Sequence, residues 1–331
     1  MAEEHDDRWP GKTLGGTYRV LRLIGRGGMG AVYEVEPVAG GAHLAVKILA
    51  REWAKDEVVA GRFAREARAA SDVASEHIVR VVGGGTEDGC PYLVMELLEG
   101  QDLGQRLRHR RHLELDESLQ IVEGLLEGLV TAHAAGIIHR DLKPDNVLLV
   151  ERGGEADFVK LVDFGMSKLE RPAGATAPLA LTRKGVVLGT PLYMSPEQAR
   201  AATDVDGQSD VFSVGAILFE CLTGRPPFTG ETYEQILLRI CMEDAPDVRR
   251  WAPEVPDALA AVVARALARE REDRFESADA MLAAVRALGR VGPGDAARAR
   301  RRARTRMVVA AVIAMLAGAV VTLLAVALAG R

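Results

Sequence analysis

Eight residues between two apolar runs, His139 to Asn146 in IIHRDLKPDNVLLV, contain side chains that could do chemistry. Pro144, Asp145 and Asn146 alone are typical of a surface turn. A turn does not explain the imidazole, two cations and carboxylate between His139 and Lys143. Charged groups beside a buried run are costly unless each has a partner. We therefore expect these side chains to have partners elsewhere in the chain.

A glycine cluster, GRGGMG at residues 25–30, fits the pattern G-x-G-x-x-G. The pattern alone is weak, because dinucleotide-binding sites share it. Those sites need a strand followed by a helix, whereas Val32, Tyr33 and Val35 continue as a strand, which predicts a glycine-tipped hairpin. Glycines at such a tip allow backbone amides to approach phosphate oxygens. A merely flexible hairpin tip remains an alternative on this segment alone.

Three further motifs follow the glycine cluster. Lys47 lies in the strand-like run AVK, where a lysine would ordinarily mark an edge strand, and Glu66 on the next predicted helix offers a counter-charge. Asp163 ends an apolar strand and begins a D-F-G tripeptide. An SPE tripeptide follows at residues 195–197.

Taken in this order, the motifs resemble the protein-kinase set of glycine loop, strand lysine, helix glutamate, H-R-D-x-K-x-x-N, D-F-G and A-P-E. Over about residues 18–288 the chain is similar to eukaryotic-like (Hanks-type) bacterial serine/threonine protein kinases. The resemblance implies an α+β fold of two lobes, a small antiparallel β-rich lobe with one helix and a larger helical lobe. It also implies transfer of the ATP γ-phosphoryl group to protein Ser/Thr hydroxyls with Mg²⁺, or alternatively Mn²⁺.

The resemblance also implies roles for the charged residues. Asp141 would accept the proton of the substrate hydroxyl, and Lys143 would stabilise the moving phosphoryl group. Asn146 and Asp163 would hold the metal ion. Phosphoryl transfer needs positioned charges more than covalent chemistry, which would explain the polar segment.

Nucleotide binding is implied in the same way. Lys47, fixed by Glu66, would hold the α- and β-phosphates. Gly25, Gly27 and Gly30 would cover the phosphates. Val32, Ala45 and Leu148 would clamp the adenine, with Met95 at the back of the pocket. Glu96 to Leu98 would form the hinge.

Regulatory and structural residues complete the resemblance. Thr182 is expected to be the main activating phosphosite, with its phosphate paired to Arg140. Glu197 is expected to pair with Arg274, and Asp210 to brace the catalytic loop.

A basic run at 106–112, with His109 and His112, indicates a solvated helix end rather than a metal or nucleic-acid site.

Apolar periodicity agrees with a β-rich part that precedes a helical part. Strand-like runs flank the glycine cluster and Lys47, and further short strands are predicted at 78–82 and 91–97. The predicted helices are 57–72, 119–135, 208–223, 232–242, 257–268 and 277–288. The three cysteines are far apart, so neither a disulfide framework nor a thiolate zinc site is indicated.

The net charge of −5 conceals an asymmetry. Six arginines lie at residues 298–306 and no acidic residue follows Asp295. A nucleic-acid arm is one interpretation, but the uncharged residues 307–330 follow, which as a helix at ~1.5 Å per residue are long enough to cross a hydrocarbon core of ~30 Å. A buried core helix is the alternative. The arginines place residues 1–306 in the cytoplasm by the positive-inside rule.

This organisation predicts four segments: an acidic N-terminal extension at 1–17, a kinase domain at 18–288, a basic juxtamembrane linker at 289–306 and a transmembrane helix at 307–330. The protein is expected in the inner (cytoplasmic) membrane as a single-pass protein, with its kinase domain in the cytoplasm. Expected partners are protein substrates and the membrane, with no nucleic acid. Ala314 and Gly318 form a small-xxx-small pair that is compatible with a homodimer.

Two other functions remain as alternatives. A pseudokinase that senses nucleotide or acts as a scaffold is disfavoured, because all five of the expected key residues are present: Lys47, Glu66, Asp141, Asn146 and Asp163. A small-molecule phosphotransferase of the same fold is disfavoured by the SPE segment and by the long loop between residues 166 and 194, which suits peptide docking.

Overall fold

A computed structural model of the protein describes residues 8–163 and 191–289, apart from residues 58, 62, 64–72 and 203. Within these ranges the chain forms a β-rich lobe followed by a mostly helical lobe, with a second small sheet at the start of the helical lobe. The predicted α+β architecture of two lobes is confirmed.

The N-terminal lobe is a six-stranded antiparallel sheet in the order β1-β2-β3-β4-β6-β5. Its strands are β1 (Thr13–Leu14), β2 (Tyr18–Gly27), β3 (Gly30–Pro37), β4 (Leu44–Leu49), β5 (Val81–Glu87) and β6 (Cys90–Glu96). The predicted glycine-tipped hairpin is confirmed, since β2 and β3 pair up to Gly27 and Gly30. The short helix α1 (Arg51–Ala54) follows β4.

Residues before the predicted start of the domain contribute to this lobe. Strand β1 pairs with the start of β2, and Trp9 and Leu14 are buried in the same apolar cluster as Tyr33 and Tyr92. Lys12 Nζ donates to Asp88 Oδ2 at 2.7 Å. The boundary at residue 18 stays a prediction, but the sheet of this lobe begins earlier, at β1.

The strand expected at residues 78–82 lies further along the chain, because β5 begins at Val81 and runs through three glycines to Glu87. A glycine run is typical of a turn, but here Gly84 and Gly85 make room for the backbone carbonyl and the ring of a neighbouring tyrosine. A Cβ on Gly85 would lie 2.7 Å from the Tyr92 hydroxyl, on the paired strand β6. The packing of Tyr92 therefore outweighs the low strand propensity of glycine.

The helical lobe begins with a three-stranded antiparallel sheet of β7 (Gly100–Asp102), β8 (Val147–Arg152) and β9 (Glu155–Leu161). Its described helices are α2 (Leu103–Arg110), α3 (Leu115–Ala134), α4 (Pro196–Ala199), α5 (Gly207–Thr223), α6 (Tyr233–Met242), α7 (Asp257–Ala266) and α8 (Ala278–Gly289). The predicted helices of this lobe are confirmed within a few residues at each end. In the segment predicted as a helix at 57–72, the described residues 57, 59–61 and 63 are helical.

Helix α5 is the centre of the larger lobe. Most of its residues are buried, and α3, α7 and α8 pack around it. A helix that is apolar on nearly all sides must be surrounded by protein. Two polar residues at its start, Ser209 and Asp210, are nevertheless fully buried. Within the described ranges, no helix is long and apolar enough to cross a membrane.

A buried ion pair holds the segment before α5 to the end of the lobe. Arg274 donates from Nη1 and Nη2 to the two carboxylate oxygens of Glu197, at 2.8 and 2.9 Å, and Ser209 Oγ also donates to Glu197. Burial opposes ionisation of Glu197, but these hydrogen bonds outweigh it and lower its pKa to about 2. The predicted Glu197–Arg274 pair is confirmed.

We expect Arg274→Met to lower the free energy of unfolding by about 3–5 kcal/mol at neutral pH, because it leaves the Glu197 carboxylate buried without its cation. Since the folded-state pKa of Glu197 is depressed, its contribution is complete above its ordinary pKa and is lost as pH falls from there toward about 2. The deficit of the variant should therefore shrink on acidification. Urea unfolding measured from neutral pH down to about pH 3, within the range between the two pKa values, tests both expectations.

Arg249→Met is the matched control. Arg249 pairs with Asp247 and Asp257 at the surface, where ion pairs contribute about 0–1 kcal/mol. Equal losses of stability in the two variants would contradict the role given to the buried pair.

Candidate active site

The segment His139–Asn146 is held by the buried carboxylate of Asp210 on α5. Asp210 Oδ2 accepts from the backbone N–H of His139 and from His133 Nε2, and Oδ1 accepts from the backbone N–H of Arg140, each at 2.8 Å. Arg140 has a φ of 65°, which is unfavourable for a residue with a side chain. Asp210 therefore fixes a strained loop, and the predicted bracing role is confirmed.

Within this loop Asp141, Lys143 and Asn146 contact one another. Lys143 Nζ donates to Asp141 Oδ2 at 3.1 Å, and Asn146 Nδ2 donates to the Asp141 carbonyl at 2.7 Å. The turn Pro144–Asn146 is a 3₁₀ helix, closed by the Asn146 N–H to the Lys143 carbonyl. The Asp141 carboxylate is 39% exposed, so an outside group can reach it. The loop thus presents a carboxylate and an ammonium to solvent, with the Asn146 amide buried beside them, in a fixed arrangement.

Lys47 and Asp163 connect the two lobes at this site. Lys47 Nζ on β4 donates to Asp163 Oδ1, just after β9, at 2.7 Å. Asp163 has a φ of 60°, and the preceding Val162 N–H donates to the Asn146 carbonyl at 3.1 Å. The structure therefore brings together four of the five key residues, with Lys47 in contact with Asp163. The four are Lys47, Asp141, Asn146 and Asp163. Glu66, the expected partner of Lys47, lies outside the described residues.

The glycine hairpin lies beside the Lys47 strand in the same sheet. Gly25 pairs with Val32, which in turn pairs with Lys47 across β3 and β4. A Cβ on Gly25 would meet no atom within 4 Å, whereas a Cβ on Gly30 would lie 2.1 Å from the Ile48 carbonyl. Gly30 is thus required for strand packing, and the backbone at Gly25 stays open to a ligand.

An apolar cluster adjoins these charged groups. Ala45 and Met95 are opposite each other on β4 and β6 and are nearly buried, and Val32 and Leu98 pack against them. The other members of the cluster are Val79, Leu93, Leu97 and Val162. Val32, Ala45 and Met95, which were predicted to line the adenine pocket, therefore lie together with the predicted hinge residue Leu98. Leu148 is half-buried on β8, outside this cluster.

The predicted hinge begins at Glu96, the last residue of β6. Its backbone N–H donates to the Arg80 carbonyl at 2.9 Å, and its side chain accepts from the Arg80 N–H at 2.8 Å. Lys160 Nζ on β9 donates to Glu96 Oε1 at 2.6 Å. The start of the hinge is thus fixed by both lobes.

The segment that precedes α4 is anchored to α5. The Tyr193 hydroxyl donates to Glu220 Oε2 at 2.5 Å, and Ser213 Oγ donates to the Tyr193 carbonyl. Burial raises the pKa of Glu220, with a further increase from Asp145, although the hydrogen bond from Tyr193 opposes it. Thr182 lies in the part of the chain that the structure does not describe, as do Phe164 and Gly165 of the D-F-G motif.

The polar atoms present fit a nucleotide phosphate and a hard divalent cation. Asn146 Nδ2 is bonded to the Asp141 carbonyl, so its Oδ1 is the atom that can bind a cation, as can the 38%-exposed Asp163 carboxylate. Lys47 supplies a cation for phosphate. In the basic run, Arg110 pairs with Glu117, and His109 contacts the Gln105 carbonyl. Within the described ranges, no group of three or more His, Cys, Asp or Glu side chains could hold a metal ion.

Sequence reasoning missed two residues of this site. His133 supplies the third hydrogen bond to Asp210, and Lys160 pairs with Glu96. Lys160 lies in an apolar strand, as Lys47 does, so the argument that a lysine in such a run needs a partner could have found it. His133 is one polar residue on a long amphipathic helix and carries no such signal.

Comparisons with known proteins agree with this geometry. The family model described as protein kinase domain matches residues 18–284. The chain is 38% identical over 291 residues to the serine/threonine-protein kinase pkn3 of Myxococcus xanthus, covering 87% of this chain and 53% of that protein. It is 37% identical over 276 residues to the serine/threonine-protein kinase PrkC of Bacillus subtilis, covering 83% of this chain and 41% of that protein. The chain therefore spans about half or less of the length of these relatives.

A solved structure is also similar. The kinase domain of Mycobacterium tuberculosis PknI superposes with a TM-score of 0.64 at 28% sequence identity, covering 84% of this chain and 97% of that one. The match of the family model over most of the chain, together with these identities, shows the relationship directly. The chain belongs to the protein kinase domain family.

Proposed function

We propose that the protein is a membrane-tethered serine/threonine protein kinase that transfers the γ-phosphoryl group of ATP to Ser and Thr hydroxyls of proteins. The observation that carries this proposal is the convergence of two sets of charged groups at one cleft. One is the fixed loop with Asp141, Lys143 and Asn146, and the other is the interlobe pair of Lys47 and Asp163. The names of the curated relatives support the choice of serine and threonine as acceptors.

ATP and Mg²⁺, with Mn²⁺ as the alternative ion, fit the groups that line this cleft. When bound, ATP supplies the phosphoryl group and the cation neutralises charge on its phosphates. Lys47 holds phosphate oxygens from the β-rich lobe, on the strand beside the glycine hairpin. Asn146 Oδ1 and the Asp163 carboxylate hold the cation from the helical lobe. The apolar cluster of Ala45 and Met95 receives the base.

Asp141 is the group that can act on the acceptor hydroxyl. Its carboxylate is partly exposed, and the Asn146 amide holds its backbone carbonyl, so it can orient the hydroxyl and accept its proton. Lys143 lies 3.1 Å from Asp141 Oδ2, where its ammonium stabilises negative charge on the transferred group.

Asp141→Asn should leave the dissociation constant for ATP within about twofold of wild type and lower turnover by about 10²–10⁴-fold, because proton acceptance is lost while the phosphate contacts remain. Full-length protein, labelled ATP, Mg²⁺ and a generic protein substrate provide the rate, and calorimetry provides the affinity. The control is Asp116→Asn, the same chemical change at an exposed position in the first turn of α3. Wild-type turnover in Asp141→Asn would reject the assignment.

Autophosphorylation of Thr182 is the proposed activating step. Arg140 is next to the catalytic carboxylate, and within the described ranges its buried Nε has no hydrogen-bond acceptor. A phosphate on Thr182 would bring a charge of about −1.5 to −2 and three acceptor oxygens, which suits a guanidinium beside the active site.

Mass spectrometry after incubation with ATP should detect phosphate on Thr182 in the wild-type chain and not in Asp141→Asn. Thr182→Ala should lower turnover by about tenfold or more, because the proposed phosphate contact with Arg140 is worth at least ~1.5 kcal/mol. Thr176→Ala is the matched control and should retain turnover. Full activity in Thr182→Ala, with phosphate on Thr176 instead, would assign the switch to Thr176.

Membrane tethering is proposed for residues 307–330, which lie outside the described residues. The segment is uncharged and follows six arginines, a pattern that favours a span with the preceding residues in the cytoplasm. An enzyme tethered in this way would act on substrates at or near the inner face of the cytoplasmic membrane.

A phosphatase reporter that is active only outside the cytoplasm should be active when it is fused after Arg331. The same reporter fused after Gly289 should be inactive, because that fusion lacks the proposed span at residues 307–330. A silent but stably produced fusion at Arg331 would disprove the proposed topology.

A further inference from the structure

Residues 77–80 form a joint between the two lobes, and we call them the interlobe joint. On one side, the His77 carbonyl accepts from the Leu161 N–H at 2.8 Å, and the Val79 N–H donates to the Leu161 carbonyl at 2.9 Å. On the other side, the Arg80 carbonyl accepts from the Glu96 N–H at 2.9 Å. Strand β9 of the helical lobe and the end of β6 in the β-rich lobe are therefore connected through one short segment.

Lys160 lies on the side of β9 that faces the nucleotide pocket. Its neighbours Val159 and Leu161 are buried in the core of the helical lobe. Because side chains alternate along a strand, Lys160 and Val162 lie on the opposite face, and Val162 belongs to the apolar cluster of the pocket. Leu148 is directly across from Lys160 on β8. The buried ammonium of Lys160 is thus next to Val162 and Leu148, on the side of the proposed adenine site that belongs to the helical lobe.

The ammonium of Lys160 contacts the hinge and the interlobe joint together. Its Nζ donates to Glu96 Oε1 at 2.6 Å and reaches the Ile78 carbonyl at 3.4 Å. The same Glu96 carboxylate accepts from the Arg80 N–H. The Lys160 and Glu96 side chains are only 10% and 22% exposed, so water screens their attraction weakly.

We propose that Lys160 is a positioning residue for the nucleotide pocket, which fixes the hinge at Glu96 relative to the strand that ends at Asp163. This inference rests on the proposed binding of ATP. The hinge and Asp163 belong to different lobes, and both must keep their places for one ligand to contact them together. Lys160 is three residues before Asp163 and bonded to Glu96, so it connects the two by a short route.

A purely structural role makes a different prediction. Replacing both partners of a buried ion pair by neutral groups is often nearly neutral for stability, whereas removing one partner is costly. The double variant Lys160→Met with Glu96→Gln leaves no unpaired charge, and the amide oxygen of the introduced glutamine can still accept from the Arg80 N–H. This variant therefore removes the tie between hinge and β9 while retaining the hinge's contact with the joint.

Arg106 provides the matched control. Its guanidinium pairs with Glu117 at 2.8 Å and with Asp157, also on β9, at 2.6 Å, and it is buried to a similar degree as Lys160. None of its contacts in the described ranges is with the apolar cluster of the pocket. Arg106→Met should thus lower stability without changing the nucleotide site.

The test is calorimetric titration of the full-length wild-type and variant chains with ATP and Mg²⁺, combined with thermal unfolding in the absence of nucleotide. The double variant should unfold near the wild-type temperature and bind ATP about tenfold more weakly, since small misplacements of binding groups are costly. Arg106→Met should unfold at lower temperature and keep its dissociation constant within about twofold. Lys160→Arg, which retains the charge, should recover most of the affinity.

Unchanged or tighter ATP binding in the double variant would overturn the inference, and so would equal weakening in Arg106→Met. In either case, ATP binding by the wild-type chain would leave the proposed function intact. Failure of the wild-type chain to bind ATP would instead overturn the proposed function, and the inference with it.

Discussion

The geometry of the active site depends on one buried carboxylate, that of Asp210. A carboxylate without solvent must be surrounded by donors, and here the donors are two backbone amides of the catalytic loop and one imidazole of α3. The Asp210 carboxylate and the catalytic loop depend on each other. The loop satisfies the charge, and the charge holds Arg140 in a left-handed conformation that it would not adopt alone. Helix α5 can impose this geometry because its apolar faces are fixed by packing on nearly all sides.

The same physical rule explains the other charged residues inside the molecule. Glu197 with Arg274 and Lys160 with Glu96 each join segments that are distant in sequence. A buried ion pair adds little net stability relative to apolar residues, but it is satisfied in only one arrangement of its partners. In this fold such pairs lie at the junctions where the lobes or the loops must keep a fixed relation, so their contribution is to geometry more than to total stability.

The parts of the site differ in how they could be predicted from the sequence. The glycine hairpin was predictable from its residues, because strand-like runs flank the glycines. The bracing by Asp210 and the Glu197–Arg274 pair were implied only by the resemblance to protein kinases. His133 was not predictable, since a histidine on an amphipathic helix is ordinary until its neighbour in space is known. The position of β5 was missed because glycine has a low strand propensity, and the close approach of Tyr92 to Gly84 and Gly85 depends on strand pairing that the local sequence does not indicate. The partners of Glu66 and Thr182 remain predictions.

The contact between Lys47 and Asp163 has a consequence for ligand binding. At 2.7 Å the Lys47 ammonium and the Asp163 carboxylate neutralise each other across the cleft. The proposed ligands carry both signs, phosphate for Lys47 and a divalent cation for Asp163. Phosphate or cation alone would have to leave one of the two protein charges without its partner. Binding both together replaces the Lys47–Asp163 pair by two pairs of opposite charge, Lys47 with phosphate and Asp163 with the cation. This exchange favours binding of the metal–nucleotide complex over binding of either component alone.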